Sequence, residues 1–163
     1  MKFYYNLCFI STLLLTLGCI QNENKYNGVW HSLEDAQKKV THDNNKKLLL
    51  SVYTEDDNES KQLQEEVLPD PAVTKMMNKH FCSVQINANS KDSVLFNGVK
   101  KTEKEIAEDL GVTSYPTIVF LNSDGEKIII TNGFMDAKSF TNLLSYVGSD
   151  AYLTTEFDLY LNE

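Results

Sequence analysis

The chain has 163 residues, 42% hydrophobic and 10% aromatic, a composition that supports one domain with a real core and excludes a disordered protein. Its formal net charge is −8 and every strongly basic residue is Lys, with no Arg. That balance argues against nucleic-acid binding, which needs a basic face and normally uses Arg for bidentate phosphate or guanine contacts.

Met1-Lys2 precede an apolar run from Phe3 to Leu17, interrupted by Asn6, Ser11, Thr12 and Thr16. A bilayer needs about 20 apolar residues, so residues 1–18 read as a signal peptide and not as a spanning helix. Leu15-Thr16-Leu17-Gly18-Cys19 looks like a bacterial lipobox, with Thr16 where Leu is usual. Cys19 is then lipidated and becomes the mature N-terminus, and several acyl chains, at about 0.8 kcal/mol per buried methylene, hold it stably. Ordinary secretion with cleavage near Cys19 is the alternative. Residues 19–28, rich in Asn, Gln and Lys, form a lipidated linker to a domain spanning 29–163.

Ser32-Leu33-Glu34-Asp35 opens a helix running to about Asp43, with Ser32 as N-cap. Lys47 to Tyr53 is a buried strand leading into Thr54-Glu55-Asp56, and Lys61 to Leu68 is an amphipathic helix that begins near Asp57. Pro69-Asp70-Pro71 breaks the chain and starts a second helical piece, Ala72 to His80. The strand 81–87 completes a parallel β-α-β unit. Asn89 to Lys101 is a polar insertion with a small hairpin around Leu95-Phe96-Asn97-Gly98, and Thr102-Glu103-Lys104-Glu105 matches a capping box before a helix ended by Gly111. Ile118 to Leu121, the turn Asn122-Ser123-Asp124-Gly125 and Lys127 to Thr131 form an antiparallel hairpin. Asp136 to Val147 is a helix with Phe140, Leu143, Leu144 and Val147 inward, and the tail through Leu161 docks as a last short helix.

This order, with Ser114-Tyr115-Pro116-Thr117 before a strand and Asp124-Gly125 after it, resembles the thioredoxin fold from about Trp30 to Glu163. The expected class is therefore α/β, a central mixed sheet of about four strands flanked by helices with an extra C-terminal helix. In detail the chain is most similar to periplasmic thioredoxin-related proteins of the sulfur-oxidation-associated type. The shared features are the Phe96-Asn97-Gly98 insertion, Thr102 to Ala107, the Gly133-Phe134 step, and Tyr146-Val147 to Tyr160-Leu161. Members of that family exchange disulfides through Cys-x-x-Cys at a strand-to-helix junction, where the helix N-terminus lowers a thiol pKa. Here the resemblance places Asp57 on the nucleophilic Cys, Ser60 on the resolving Cys and Asp56 on the preceding aromatic. Neither a carboxylate nor a hydroxyl can form or exchange a disulfide.

Of the three cysteines, Cys8 leaves with the signal peptide and Cys19 is the anchor, so Cys82 alone remains in the folded body. Its setting, Phe81 to Ile86, alternates like a strand, so it reads as a small buried hydrophobe in preference to a reactive thiol. The acidic stretch Glu55 to Glu59 lacks the Gly and the terminal Glu of an EF-hand loop, and capping by Asp56 or Asp57 with Glu59 in the first turn is the plainer account. His31, His42 and His80 show no ligand spacing, and no metal or cofactor is expected. The resemblance implies a cis-proline loop at Ser114, Tyr115 and Pro116 whose backbone pairs with an extended partner segment, the β-addition mode of recognition.

The leading expectation is a non-catalytic, lipid-anchored protein of a bacterial cell envelope, on the periplasmic side of the outer membrane, binding another envelope protein or peptide through the cis-proline face or the acidic loop. A residual single-cysteine redox role for Cys82, and a purely structural accessory subunit, are the alternatives.

Overall fold

The computed structural model describes residues 30–43 and 45–162. The expected signal peptide, lipidated Cys19 and linker lie outside the described residues. Among the described residues no helix is long and apolar enough to cross a membrane.

Helix α1 (Leu33–His42) is followed by β1 (Lys47–Tyr53), α2 (Asn58–Gln62), α3 (Pro71–His80), β2 (Phe81–Asn87), β3 (Ser93–Phe96), β4 (Val99–Thr102), α4 (Glu103–Asp109), β5 (Thr117–Leu121), β6 (Lys127–Asn132), α5 (Ala137–Gly148) and α6 (Phe157–Tyr160). The main sheet has the order β2-β1-β5-β6, and β3 pairs with β4 in a separate hairpin. Strands β1 and β2 run parallel, with Lys47 opposite Phe81 and Tyr53 opposite Asn87. Strand β5 is antiparallel to β1, Val52 facing Thr117, and β6 is antiparallel to β5. The sheet thus has a lower pole, where β1 and β2 begin and α1 and α3 end, and an upper pole, where β1 and β2 end and β5 begins.

Alternation along β1 divides the core between the two faces of the sheet. Leu48, Leu50 and Val52 join Ala36, Val40, Ile106 and Ala107 on the face covered by α1 and α4. Leu49 joins Leu63, Val73, Met77, Phe120, Phe140 and Leu144 under the helices α2, α3 and α5. These side chains are essentially fully buried, each contributing about 1.5–3 kcal/mol for a Leu, Val, Ile, Phe or Met.

The polar residues at the helix starts satisfy amides that the helix itself cannot pair. Ser32 accepts from the Asp35 amide, Asp70 from those of Ala72 and Val73, and Asp136 from that of Ser139. Thr102 and Glu105 make both halves of a capping box. Gly111 ends α4 with φ +79°, a conformation that L side chains rarely adopt.

Two features depart from simple periodicity. The helical segment after Asp57 widens into a π-turn at Leu63–Val67, where the Leu68 amide donates to the Leu63 carbonyl. The tail becomes a 3-10 turn, Ala151–Leu153, before α6. Tyr146 holds it against α5, with its hydroxyl donating to Thr155 O at 2.6 Å and its ring 5.0 Å from that of Phe157.

Candidate functional site

At the upper pole β1 delivers the chain through buried Thr54 into the first turn of α2. Asp57 has extended backbone (φ −84°, ψ 125°), and its carboxylate accepts the Ser60 amide at 2.6 Å. Asp57 is therefore the cap, and Asp56 is an exposed neighbour for which no capping bond exists. The helix end that would stabilise an anion already holds one, supplied by the chain itself. Ser60 is buried, and its hydroxyl has no hydrogen-bond partner. An unpaired buried hydroxyl is unfavourable in a place where a thiol, with its weak donor, would lose little.

The Tyr115-Pro116 peptide is cis. Antiparallel pairing of Thr117 with Val52 brings Pro116 level with the end of β1. Thr117, fully buried, orients the loop: its hydroxyl donates to Ser114 O at 2.6 Å and lies 2.8 Å from the Asn132 side-chain oxygen. Two further bonds join this loop to the acidic junction. The Gly133 amide donates to Pro116 O at 2.7 Å, and the next amide, that of Phe134, donates to a Glu59 carboxylate oxygen at 3.1 Å. Gly133 has φ +83°, and a Cβ there would lie 3.8 Å from that same Glu59 oxygen.

The structure thus unites Asp57 and Ser60 with Ser114, Tyr115 and Pro116, positions more than 50 residues apart in the chain. It adds Thr117, Asn132 and the Gly133-Phe134 step, which the sequence alone does not place in the site, and it ties Glu59 of the acidic loop to that step. The signal for Gly133 lay in the need for a left-handed residue after β6. No signal tied Glu59 to this step, because its partner is a backbone amide 75 positions away.

The surroundings are acidic. Tyr53, at the end of β1, has its phenol pKa raised, first by burial and then by Glu103 and Glu55. Glu103 accepts the Asn87 amide at 2.8 Å. Among the described residues no group of three or more His, Cys, Asp or Glu side chains could hold a metal ion.

Cys82 is not part of this constellation. It lies opposite Leu48 near the lower pole, five strand positions from Tyr53, a separation of about 16 Å. Its thiol is buried, and burial pushes its pKa up despite nearby Lys46 and Lys39, which disfavours the thiolate that attack requires.

Residues 33–148 match the family model of a thioredoxin-like domain. No curated protein matches the sequence. Among solved structures, the chain is similar to a thioredoxin-fold protein from Helicobacter pylori, at 21% identity and TM-score 0.63, over 85% of this chain and 94% of that one. It is also similar to a thioredoxin from Thermus thermophilus, at 20% identity and TM-score 0.59, over 74% and 86% of the two chains. A disulphide isomerase from Xylella fastidiosa Temecula1 matches at 20% identity and TM-score 0.54, over 70% and 86%. At these identities the likeness is one of fold.

Proposed function

Because this chain belongs to the thioredoxin-like domain family, we propose that it is a non-catalytic member, in which the cis-proline face holds an extended segment of another envelope protein. The observation that carries this reading is the Asp57 cap. The junction that relatives use to stabilise a thiolate is occupied by a carboxylate bonded to the Ser60 amide, and position 60 holds a buried hydroxyl. Neither position supplies the thiolate sulfur that disulfide exchange requires.

The rest of the frame is retained. The cis Tyr115-Pro116 peptide, the Thr117 anchor and the Gly133-Phe134 brace keep the loop ordered beside the helix start. Such a loop presents backbone groups for pairing with an extended segment, and the half-exposed Tyr115 and Phe134 offer apolar contact. The Phe96-Asn97-Gly98 insertion, Thr102 to Ala107 and the Gly133-Phe134 step further support kinship with the sulfur-oxidation-associated type. The lipobox-like Leu15 to Cys19 supports a signal peptide over 1–18, a lipidated linker over 19–28 and residence at the periplasmic side of the outer membrane.

The test has two arms. Purified protein should not reduce insulin above background, and turnover persisting in Cys82→Ser would overturn the non-catalytic reading. Envelope proteins that co-purify with the intact chain from detergent-solubilised membranes should be lost with Pro116→Ala. Retention by a folded Pro116 variant would refute use of the cis-proline face.

A further inference from the structure

We propose that Asn97 is a site of spontaneous covalent modification, in which the Gly98 backbone nitrogen closes a succinimide ring on the Asn97 side chain and water opens the ring to an aspartyl or isoaspartyl residue. The inference goes beyond the cis-proline reading and depends neither on it nor on the lipid anchor.

The reaction needs nothing but water and a base. The Gly98 amide gives up its proton, and its nitrogen attacks the carboxamide carbon of Asn97. The new C–N bond forms as the old one breaks, and the side-chain nitrogen takes up a proton and leaves as ammonia. Hydrolysis of either ring carbonyl then restores an open chain, so the net change is –OH for –NH2. Ring closure between adjacent groups replaces a collision by a rotation, and a following glycine leaves the attacking nitrogen unshielded because it carries no Cβ.

The chain offers this dipeptide three times, as Asn27-Gly28, Asn97-Gly98 and Asn132-Gly133, and the related Asp124-Gly125 once. Residues 27 and 28 lie outside the described residues. Asn97 and Asn132 are both exposed, so exposure does not separate them. Hydrogen bonding does. The Gly133 amide donates to Pro116 O at 2.7 Å, and the Asn132 side-chain oxygen lies 2.8 Å from the Thr117 hydroxyl, so both reacting groups are held by other partners in the central sheet. The Gly125 amide likewise donates to Asn122 O at 3.1 Å.

The Gly98 amide makes no hydrogen bond among the described residues. Phe96 pairs with Val99, which leaves Asn97 and Gly98 as the two-residue turn of the β3–β4 hairpin, with φ +49° and +77°. A Cβ built at Gly98 would meet nothing within 4 Å, so water and base reach the nitrogen. What restrains Asn97 is its side chain, which lies 2.5 Å from the Gln37 side-chain amide of α1. The hairpin is a separate two-stranded sheet, and its turn opens locally at lower cost than β6, which is part of the four-stranded sheet.

Modification alters a contact between two turns. The Asn97 side chain rests on Gly125, 3.0 Å from where a Cβ would stand, and with Gln37, Asn122 and Asp124 it lines a cavity of about 400 Å³. A carboxylate at 97 adds a like charge to the cavity that Asp124 lines. An isoaspartyl linkage also lengthens the two-residue turn by a backbone methylene, which disturbs the strand pairing next to buried Phe96.

The test incubates the full chain, purified in detergent, at mildly alkaline pH, folded and in urea, with peptide mapping by mass spectrometry. In urea the peptides holding Asn97 and Asn132 should both gain about 1 Da, at comparable rates. Folding should slow Asn132 by at least roughly tenfold, because its reaction waits for the central sheet to open, and Asn97 by much less. The product at 97 should be a mixture of aspartyl and isoaspartyl, separable by chromatography. The modified chain should melt below the unmodified one, and below Asn97→Asp, which supplies the charge without the added methylene. Equal protection of the two sites in the folded chain, or faster conversion at 132, would overturn the assignment to Asn97. An aspartyl product alone would show direct hydrolysis and overturn the ring closure, and a modified chain as stable as the unmodified would overturn the coupling between the turns.

Discussion

Replacing Asp57 with Ala removes the side-chain acceptor that satisfies the Ser60 amide and leaves the start of α2 uncapped. Loss of such a cap costs about 0.5–2 kcal/mol, typically about 1. The helical segment it begins carries Ser60, Leu63 and Val67 into the core, so fraying exposes packed residues and places the expected loss at about 1–2 kcal/mol. About 130 ordered residues, at about 2.1 cal/mol/K each, give an unfolding entropy near 0.27 kcal/mol/K. A loss of 1 kcal/mol therefore lowers Tm by about 4 °C, and 2 kcal/mol by about 7 °C. Urea denaturation and thermal melts should show the shift with an unchanged m-value. Asp57→Asn should recover most of it, because an amide oxygen also caps, whereas Asp56→Ala should change stability by less than about 0.5 kcal/mol. An Asp57→Ala protein as stable as the parent, or an equal loss from Asp56→Ala, would refute the assignment of the cap. Added calcium should leave these melts unchanged; a large stabilisation lost in Asp57→Ala would show that the loop binds an ion.

Asp57→Cys/Ser60→Cys should form an intramolecular disulfide on mild oxidation, since bridging needs Cβ atoms about 3.5–4.5 Å apart and the junction has the thioredoxin frame; two free thiols in the folded protein would exclude that frame at 57–60. Glu59→Ala should speed hydrogen exchange at the Phe134 amide while leaving Asp57-dependent capping intact, and unchanged protection would show that the brace is not maintained in solution. Gly148→Ala, usually stabilising in a helix by about 1 kcal/mol, should destabilise here, because a Cβ would lie 2.6 Å from the His80 ring. The loss should shrink in a His80→Ala background, which removes the ring and leaves only a Cβ approach of 2.9 Å, and a loss undiminished there would place the clash elsewhere. His80 and His31 both have folded pKa values below 6.5, so the unfolded chain takes up the protons first as pH falls. Their contribution is complete above about pH 6.5 and is lost as pH drops through the lowered folded values. A His31→Gln/His80→Gln variant should therefore show a flatter urea midpoint between pH 7 and 5, and a slope equal to the parent's would contradict the shifts.

Much of this molecule is local in origin and hence legible in the chain itself. The caps at Ser32, Thr102 and Asp136 bond amides three residues away, so residue type and spacing suffice to locate those helix starts. Leu48 to Val52, Ile118 to Leu121 and the Asn122 to Gly125 turn likewise announce strands and their reversal, because burial on both faces demands continuous apolar runs. That the chain carries no Cys-x-x-Cys was visible in the residues alone. Which of the two aspartates caps was not, since both stand at acceptable spacing and only the backbone angles at position 57 decide it. The π-turn after α2 was equally hidden, because shifting one hydrogen-bond register barely alters apolar periodicity. The Glu59 to Phe134 brace and the Lys47 to Asp150 pair belong to the tertiary structure. Each joins residues with no local relation, and only the packing of the sheet and its helices sets their separation.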